Sequence, residues 1–328
     1  MSRSGFVLGK FLPPHSGHEY LCDFAAAHCD RLTILVCSIG GEPIPGALRH
    51  AWMSERFPDA RVLHCAEEVP QAPEDHPDFW SIWRDLVRRY HPEPIDEVFA
   101  SEAYGVRLAE ELGASFVPVD LARTVQPVSG TQVRAAPWAC WDRISAPARP
   151  WFVRTVSVHG PESSGKTTLA EQIGTHFGTC VVPEFGRTYT ELFGTDCDAD
   201  DIVKIARGQQ AAIQAARRQA RGLLVSDTDA VMSAVWSDML TAGRNAWFDE
   251  GVKPCDLYIL TGVEFDWVDD GTRYFADRDT RNDFYARCEA ELVRRDLRYV
   301  VVSGDRNKRL ETAVQAIEAR FADMIGRV

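Results

Sequence analysis

Lysine is scarce in this 328-residue sequence. Lys10, Lys166, Lys204, Lys253 and Lys308 are the only ones, and arginine supplies the rest of the 36 basic residues. Long basic tracts are missing, and the net charge of −12 argues against bulk attraction to nucleic acid or an anionic membrane. Charge does not segregate along the chain. Apolar runs are short, and none approaches the ~20 residues that a membrane-spanning helix needs. The nine cysteines are scattered and odd in number, with no Cys-x-x-Cys pair. That argues against a disulfide framework or a zinc cluster and points to a reducing, cytoplasmic setting. No charged-then-apolar segment opens the sequence, so a secretory leader is not expected. Internal repeats and low-complexity tracts are absent.

What is present is the composition of a globular protein, 45% hydrophobic and 26% charged. The length suits two domains, each large enough to bury its own core. Two of the five lysines fall inside glycine-bearing motifs. One motif is Gly9-Lys10-Phe11-Leu12-Pro13-Pro14-His15-Ser16-Gly17-His18. The other is Gly160-Pro161-Glu162-Ser163-Ser164-Gly165-Lys166-Thr167. Each lies between an apolar strand-like run and a helix-like run. Each therefore aims backbone N–H groups and a helix N-terminus at an anion.

In the first half, strands are expected at residues 5–9, 31–38, 61–65, 97–100 and 115–119. Helices are expected at 17–27, 48–56, 80–90 and 104–112, with a loop over 67–79. In the second half, strands are expected at 155–158, 180–182, 223–226, 257–260 and 299–302. Helices are expected at 166–177, 200–220, 230–240, 282–295 and 308–325. Strands alternating with helices predict an α/β fold in both halves, with parallel sheets flanked by helices. The expected domains are residues 1–145 and 152–328. Residues 137–151, with three prolines and three tryptophans, read as a short linker packed into a domain interface.

In the first motif, Gly9 ends a strand and lets the chain turn close to a ligand, and Pro13 and Pro14 stiffen the loop. His15 and His18, three apart at a helix start, can face one direction and donate to phosphate oxygens. Gly17 lets a nucleotide approach the backbone. The segment resembles the HxGH signature of the nucleotidyltransferase superfamily. The second signature of that superfamily, Ser-x-Thr-x-x-Arg, is matched by Ser129-Gly130-Thr131-Gln132-Val133-Arg134. Hydroxyls and N–H groups at that helix start suit phosphates, and Arg134 can fork onto them. Lys10, His15, His18 and Arg134 are the candidate catalytic groups, with Gly9, Phe11, Gly17, Ser129 and Thr131 as nucleotide contacts.

The second motif fits GxxxxGK[ST] in full, the P-loop pattern. Gly160, the backbone N–H groups of Glu162, Ser163, Ser164, Gly165 and Thr167, and the adjoining Thr168 are candidate phosphate contacts. Lys166 reaches the β/γ oxygens, and Thr167 with Asp227 is the candidate Mg²⁺ site. Either Glu184 or Asp227 is the candidate base. Residues 269–281, with Arg273, Arg278 and Arg281, read as a lid over the transferred phosphoryl group.

Both halves together resemble the bifunctional NadR family, on the segments GKFLPPHSGH, ASEAYG, VSGTQVRAAPW, GPESSGKTTL, PEFGRTY, SDTD and EFDWVDDGTR. That resemblance implies a Rossmann-like nucleotidyltransferase domain followed by a P-loop kinase domain. It also implies two linked activities. The C-terminal half phosphorylates nicotinamide riboside with ATP, and the N-terminal half joins the resulting nicotinamide mononucleotide (NMN) to AMP from ATP, giving NAD and pyrophosphate. Mg²⁺ is the implied cofactor and ATP the co-substrate. The flat cationic nicotinamide suits aromatic faces, with Trp80 or Trp83 in the first half and Phe185, Tyr189 or Trp267 in the second as candidates. No nucleic acid or membrane partner is expected. The first strand starts near residue 5, so the helix-turn-helix of some members is not expected either. Homo-oligomerisation is left open. Two alternatives stand beside this reading: an adenylyltransferase–nucleoside kinase fusion for other substrates, and an ATP- or NAD-binding sensor.

Overall fold

The computed structural model describes residues 2–241, 243–267 and 274–325. The chain divides into two compact units between Trp151 and Phe152.

The N-terminal unit runs β1 (Ser4–Gly9), α1 (Ser16–His28), β2 (Arg31–Cys37), α2 (Gly46–Arg56), β3 (Arg61–Cys65), α3 (Phe79–Tyr90), β4 (Glu97–Ala100), α4 (Tyr104–Leu112), β5 (Ser115–Pro118) and α5 (Gly130–Ala135). The strands form one parallel sheet in the order β3-β2-β1-β4-β5. Successive side chains on a strand point to opposite faces, so a sheet covered on both sides needs unbroken apolar strands. Phe6 and Leu35 pack on one face with Trp83, Leu86 and Val87 of α3 and Leu108 of α4. Val7, Ile34 and Val36 pack on the other with Leu21 and Ala25 of α1 and Met53 of α2. Burying each such side chain contributes roughly 1.5–3 kcal/mol.

The C-terminal unit runs β6 (Arg154–His159), α6 (Lys166–Phe177), β7 (Val181–Val182), α7 (Phe185–Phe193), α8 (Ala199–Ala216), β8 (Leu223–Asp227), α9 (Ala230–Leu240), α10 (Trp247–Glu250), β9 (Leu257–Thr261), α11 (Arg278–Arg294), β10 (Tyr299–Val302), α12 (Arg306–Arg320) and α13 (Ala322–Ile325). Its parallel sheet has the order β10-β9-β6-β8-β7. Each sheet places its motif strand, β1 or β6, at the centre, where connections leave in opposite directions. Ligands of open α/β sheets bind at that switch point.

The same device pins both motif strands. Asp96, just before β4, accepts from the backbone N–H and hydroxyl of Ser4 through Oδ2 at 2.7 and 2.9 Å. Asp256, just before β9, accepts from the N–H and hydroxyl of Thr155 at 2.7 and 2.9 Å. Each strand is thus anchored at its N-terminal end, which fixes where its C-terminal loop emerges.

Residues 137–151, expected as a packed linker, hold several contacts to the N-terminal unit. Trp141 and Ile144 are buried in the N-terminal unit. Ser145 donates from its N–H to the Pro14 carbonyl at 3.1 Å and from its hydroxyl to Glu19 at 2.7 Å. Three helix limits need correction. The helix expected over 200–220 stops at Ala216, where that carbonyl takes the N–H groups of Gln219 and Ala220. The helix expected from 282 starts at Arg278, because the Asp277 carboxylate caps Thr280 N at 2.7 Å. The helix expected over 308–325 breaks between α12 and α13, at Phe321.

Candidate functional sites

In the N-terminal unit a cleft of about 670 Å³ opens at the ends of β1 and β4. Gly9, Lys10, Phe11, His15, Gly17, His18, Ser129, Thr131 and Arg134 all line it. Two segments more than a hundred residues apart therefore meet. Ser129 and Gln132 cap α5 reciprocally, N–H to side-chain oxygen at 2.8 and 3.2 Å. Arg134 then donates to the Leu12 carbonyl and, at 3.2 Å, to Thr131 Oγ1. Gly130 is required by this approach, since a Cβ there would lie 2.7 Å from the Leu12 carbonyl oxygen.

His15 caps α1, its Nδ1 accepting from Gly17 N at 3.1 Å. In the neutral ring the proton therefore resides on Nε2, which is left as a donor. His15 and His18 stack with centroids 3.8 Å apart and planes at 26°. Burial, with Arg123 nearby, pushes His15 down to about 4. Burial, then His15, then Arg123, holds His18 well below the usual imidazole range. Both rings are neutral at pH 7, and His18 Nδ1 is buried with no hydrogen-bond partner.

Sequence reasoning missed the support of this loop. Arg49 of α2 is fully buried and donates to the Lys10 carbonyl at 2.6 Å. Glu42 bridges the Arg49 guanidinium and the Lys10 ammonium, the latter at 3.1 Å. Nothing local marks either residue, because their partners lie on other elements. Trp80 and Trp83 line the cleft.

In the C-terminal unit the P-loop follows β6. Gly160 has φ 137°, and a Cβ there would sit 2.5 Å from the Thr261 carbonyl oxygen. Glycine alone fits. Ser163 and Gly165 continue in the left-handed region at φ 55° and 83°. Lys166 Nζ donates to the Pro161 carbonyl at 2.7 Å, inside the loop. Thr167 Oγ1 donates to Asp227 Oδ2 at 2.6 Å, which joins the P-loop to the end of β8. The next residue, Thr228, has φ 70°, a strained conformation for a β-branched side chain. Asp229 is buried and caps α9 through Val231 N and Met232 N. Tyr258 also donates to it, so its carboxylate is committed to structure.

P-loop residues line two cavities. One, of about 200 Å³, is lined by residues 162–168, Glu184, Arg187, Gln209, Trp236 and Tyr274. The other, of about 340 Å³, is lined by Ser163, Gly165, Thr168, Phe265, Arg306 and Arg309. Arg309 donates to the Ser164 carbonyl at 2.7 Å and lies 4.2 Å over the Phe265 ring. Gln209 holds the turn that carries Glu184, accepting from Phe185 N at 2.6 Å and donating to Pro183 O at 3.2 Å.

The aromatic faces differ from expectation. Phe185, Tyr189 and Trp267 do not line the first cavity. The Phe185 ring packs on Gly208, Tyr189 donates to Asp201 at 2.7 Å, and Trp267 donates to Glu162 at 3.3 Å. Trp236 and Tyr274, with centroids 5.4 Å apart, supply the aromatic walls instead. The Glu162 carboxylate accepts from Tyr274 N at 3.0 Å and from Phe275 N at 2.5 Å. Arg278 is exposed at the start of α11 and lines neither cavity. The buried Arg281 reaches the P-loop region, donating to Phe265 O at 3.0 Å. Arg273 lies outside the described residues.

Two parallel sheets, each with a glycine-bearing loop and a cavity at its switch point, define the class. This is a two-part nucleotide-binding α/β protein, a nucleotidyltransferase-type domain followed by a P-loop kinase-type domain. Sequence and structure comparisons agree. A family model described as AAA domain matches residues 155–309. The trifunctional NAD biosynthesis/regulator protein NadR of Escherichia coli K12 is 29% identical over 322 residues, covering 91% of this chain and 78% of that protein. Its namesake in Salmonella typhimurium LT2 is 28% identical over 344 residues, covering 97% and 83%. A crystal structure of a NadR protein in complex with NR superposes with a TM-score of 0.78 at 21% identity, covering 100% of this chain and 98% of that one. A second, with NAD and AMP-PNP, gives 0.76 at 20% identity, covering 100% and 99%. Over nearly its whole length the chain is thus similar to NadR proteins of NAD biosynthesis. Among the described residues no helix is long and apolar enough to cross a membrane.

Proposed function

We propose that the chain is a bifunctional enzyme of NAD salvage. Residues 152–328 phosphorylate nicotinamide riboside with ATP, and residues 1–145 transfer the adenylyl group of ATP to the NMN so formed. The observation that carries the reading is that P-loop residues Ser163, Gly165 and Thr168 line two cavities. A donor and an acceptor can then both reach the loop, and in-line transfer puts the attacking and leaving oxygens on opposite sides of the γ-phosphorus.

In the kinase half, ATP lies along the P-loop with its base toward Phe265 and Arg306. The riboside occupies the cavity with Trp236 and Tyr274, whose π faces suit a flat cationic ring. Its 5′-hydroxyl loses a proton to Glu184, which lines that cavity. The new O–P bond forms at the γ-phosphorus as the bond to ADP breaks. The residues also fit Mg²⁺. Asp227 Oδ1 is buried with no hydrogen-bond partner, beside the Thr167 hydroxyl bonded to Oδ2. Thr167 and Asp227 would hold the ion, and it would neutralise charge on the β- and γ-phosphates. Among the described residues no group of three or more His, Cys, Asp or Glu side chains could hold a metal by itself. That suits an ion carried largely by phosphate and water.

In the N-terminal half, Lys10, Arg134 and the α5 N-terminus hold the triphosphate. The NMN phosphate attacks the α-phosphorus in line and pyrophosphate leaves. His15 and His18, both neutral, donate to the α-phosphate as charge builds there. No covalent intermediate is required. Incubating the purified chain with nicotinamide riboside, ATP and Mg²⁺, and following NMN, NAD, ADP and pyrophosphate over time, tests both steps. The reading predicts NMN first and NAD after it. No NMN from the riboside, with turnover of deoxynucleosides instead, would replace it.

A further inference from the structure

The N-terminal cleft holds a cation that neither phosphate motif includes. Arg123 lines the cleft from the loop between β5 and α5. That loop is built around Asp120, whose carboxylate accepts from Thr124 N at 2.8 Å, Val125 N at 3.2 Å and Gln126 N at 3.1 Å. Arg123 N in turn donates to Asp120 O at 2.8 Å. Asp120 and Arg123 both adopt left-handed backbone, at φ 48° and 52°. Two such non-glycine residues in one short loop mark a conformation held against local preference, and such positions cluster at functional sites.

The guanidinium is fixed at its far end. Arg123 Nη2 pairs with Glu102 Oε1 at 2.8 Å, and Glu102, just after β4, also lines the cleft. The positive charge of Arg123 adds to burial in holding His15 and His18 low, and all three side chains line the same cleft. The other cations of the cleft belong to the two phosphate motifs. Lys10 is bound to Glu42, and Arg134 to the Leu12 carbonyl and Thr131. Adenylyl transfer brings a second anion, the acceptor phosphate, against the α-phosphate. A charge-assisted, forked donor on the Glu102 side would offset that repulsion.

We propose that Arg123 binds the phosphate of the acceptor mononucleotide and exchanges Glu102 for it when the acceptor arrives. The proposal rests on the adenylyl-transfer reading and deepens it. Arg123 is exposed, and the thermal melt of each variant, with its retained turnover at saturating NMN, reports on folding of the N-terminal unit.

The test is steady-state kinetics of pyrophosphate release from NMN and ATP with Arg123→Ala and Arg123→Lys. Arg123→Ala raises KM for NMN by about 10- to 100-fold, the range for a hydrogen bond to a charged group, while KM for ATP changes less than about twofold. Arg123→Lys restores part of the loss. Glu102→Gln lowers KM for NMN, because the competing carboxylate is gone. Arg123→Ala also moves the acid limb of kcat/KM to higher pH, since the imidazoles lose a positive neighbour; the remaining charged groups lining the cleft are Lys10, Glu102, Asp120 and Arg134. An unchanged KM for NMN in an active enzyme, or a rise in KM for ATP instead, overturns the assignment of Arg123. Wild-type protein that makes no NAD from NMN and ATP overturns the adenylyl-transfer reading, and Arg123's role with it.

Discussion

Thr167 Oγ1 and Asp227 Oδ2 are joined at 2.6 Å, while Asp227 Oδ1, two bonds away, is buried without a partner. A buried acceptor left unpaired costs roughly 1–3 kcal/mol. The fold therefore tolerates a local penalty at the point where a cation would relieve it. Asp227→Asn keeps the oxygen that faces Thr167 and removes the charge. Kinase turnover is expected to fall by about 10²-fold or more. Kinase assays over a range of Mg²⁺ concentrations measure the loss, and a folded variant with unchanged turnover and Mg²⁺ dependence would contradict the assignment of Asp227.

The two candidate sites belong to separate compact units. Lys166→Ala is expected to reduce kinase turnover by about 10²-fold or more while NAD formation from supplied NMN persists. His18→Ala is expected to do the opposite, with a loss on the order of 10²-fold for a transition-state donor. Parallel loss of both activities in either folded variant would argue against two independent sites.

Much of this was legible in the sequence because local rules and tertiary packing coincide. Helix α6 is the plain case. It is bounded by Gly165 and Gly178, both left-handed at φ 83° and 60°, and the expected and observed limits agree. Helix α7 was missed although Phe185, Tyr189, Leu192 and Phe193 recur at helical spacing; it is only nine residues long and none of them is buried. Helix α8 was overextended because Ala-rich sequence favours helix beyond Ala216, whereas Arg217 reaches the Val153 carbonyl at 2.9 Å. In the sites, the motifs named the residues that meet phosphate. Glu42, Arg49, Gln209 and Trp236 could not be read, since what they touch lies on other elements. Of the aromatic candidates, Trp80 and Trp83 line the N-terminal cleft, while Phe185, Tyr189 and Trp267 do not line the cavity of Glu184; their apolar character alone does not say which cavity they face.

Acid stability follows from the buried imidazoles. In the unfolded chain a histidine protonates near pH 6.5. In the folded chain His15 does so near 4 and His159 near 3, both chiefly because burial disfavours the charged ring. Between those limits the unfolded chain binds more protons, so stability falls as pH falls. The contribution is complete above about pH 6.5 and is lost on the way down to pH 4 for His15 and pH 3 for His159. The buried Asp229 carboxyl, held above its usual range by desolvation, works in the opposite direction. Thermal melts from pH 7.5 to 4.5 should show a declining midpoint, and His15→Gln should flatten the decline. A midpoint that stays level over that range would show that these rings are not titrating with folding.

Gly160 gives the sharpest steric prediction. Its φ of 137° lies where side-chain-bearing residues rarely go, and an added Cβ would meet the Thr261 carbonyl and hydroxyl oxygens at 2.5 Å. Neither oxygen can withdraw freely. The carbonyl is at the end of β9, and the hydroxyl is bonded to Ser164 Oγ at 2.7 Å and to His159 O at 3.1 Å. Gly160→Ala therefore combines backbone strain with a clash against fixed atoms, a cost of about 2 kcal/mol or more. The chain can relieve it only by moving the P-loop away from β9. Thr261→Ala in the same background removes one of the two clashing atoms and should recover part of the stability. Denaturant melts of the single and double variants measure this coupling. Equal destabilisation with and without Thr261→Ala would mean that backbone strain at Gly160, rather than contact with Thr261, sets the cost.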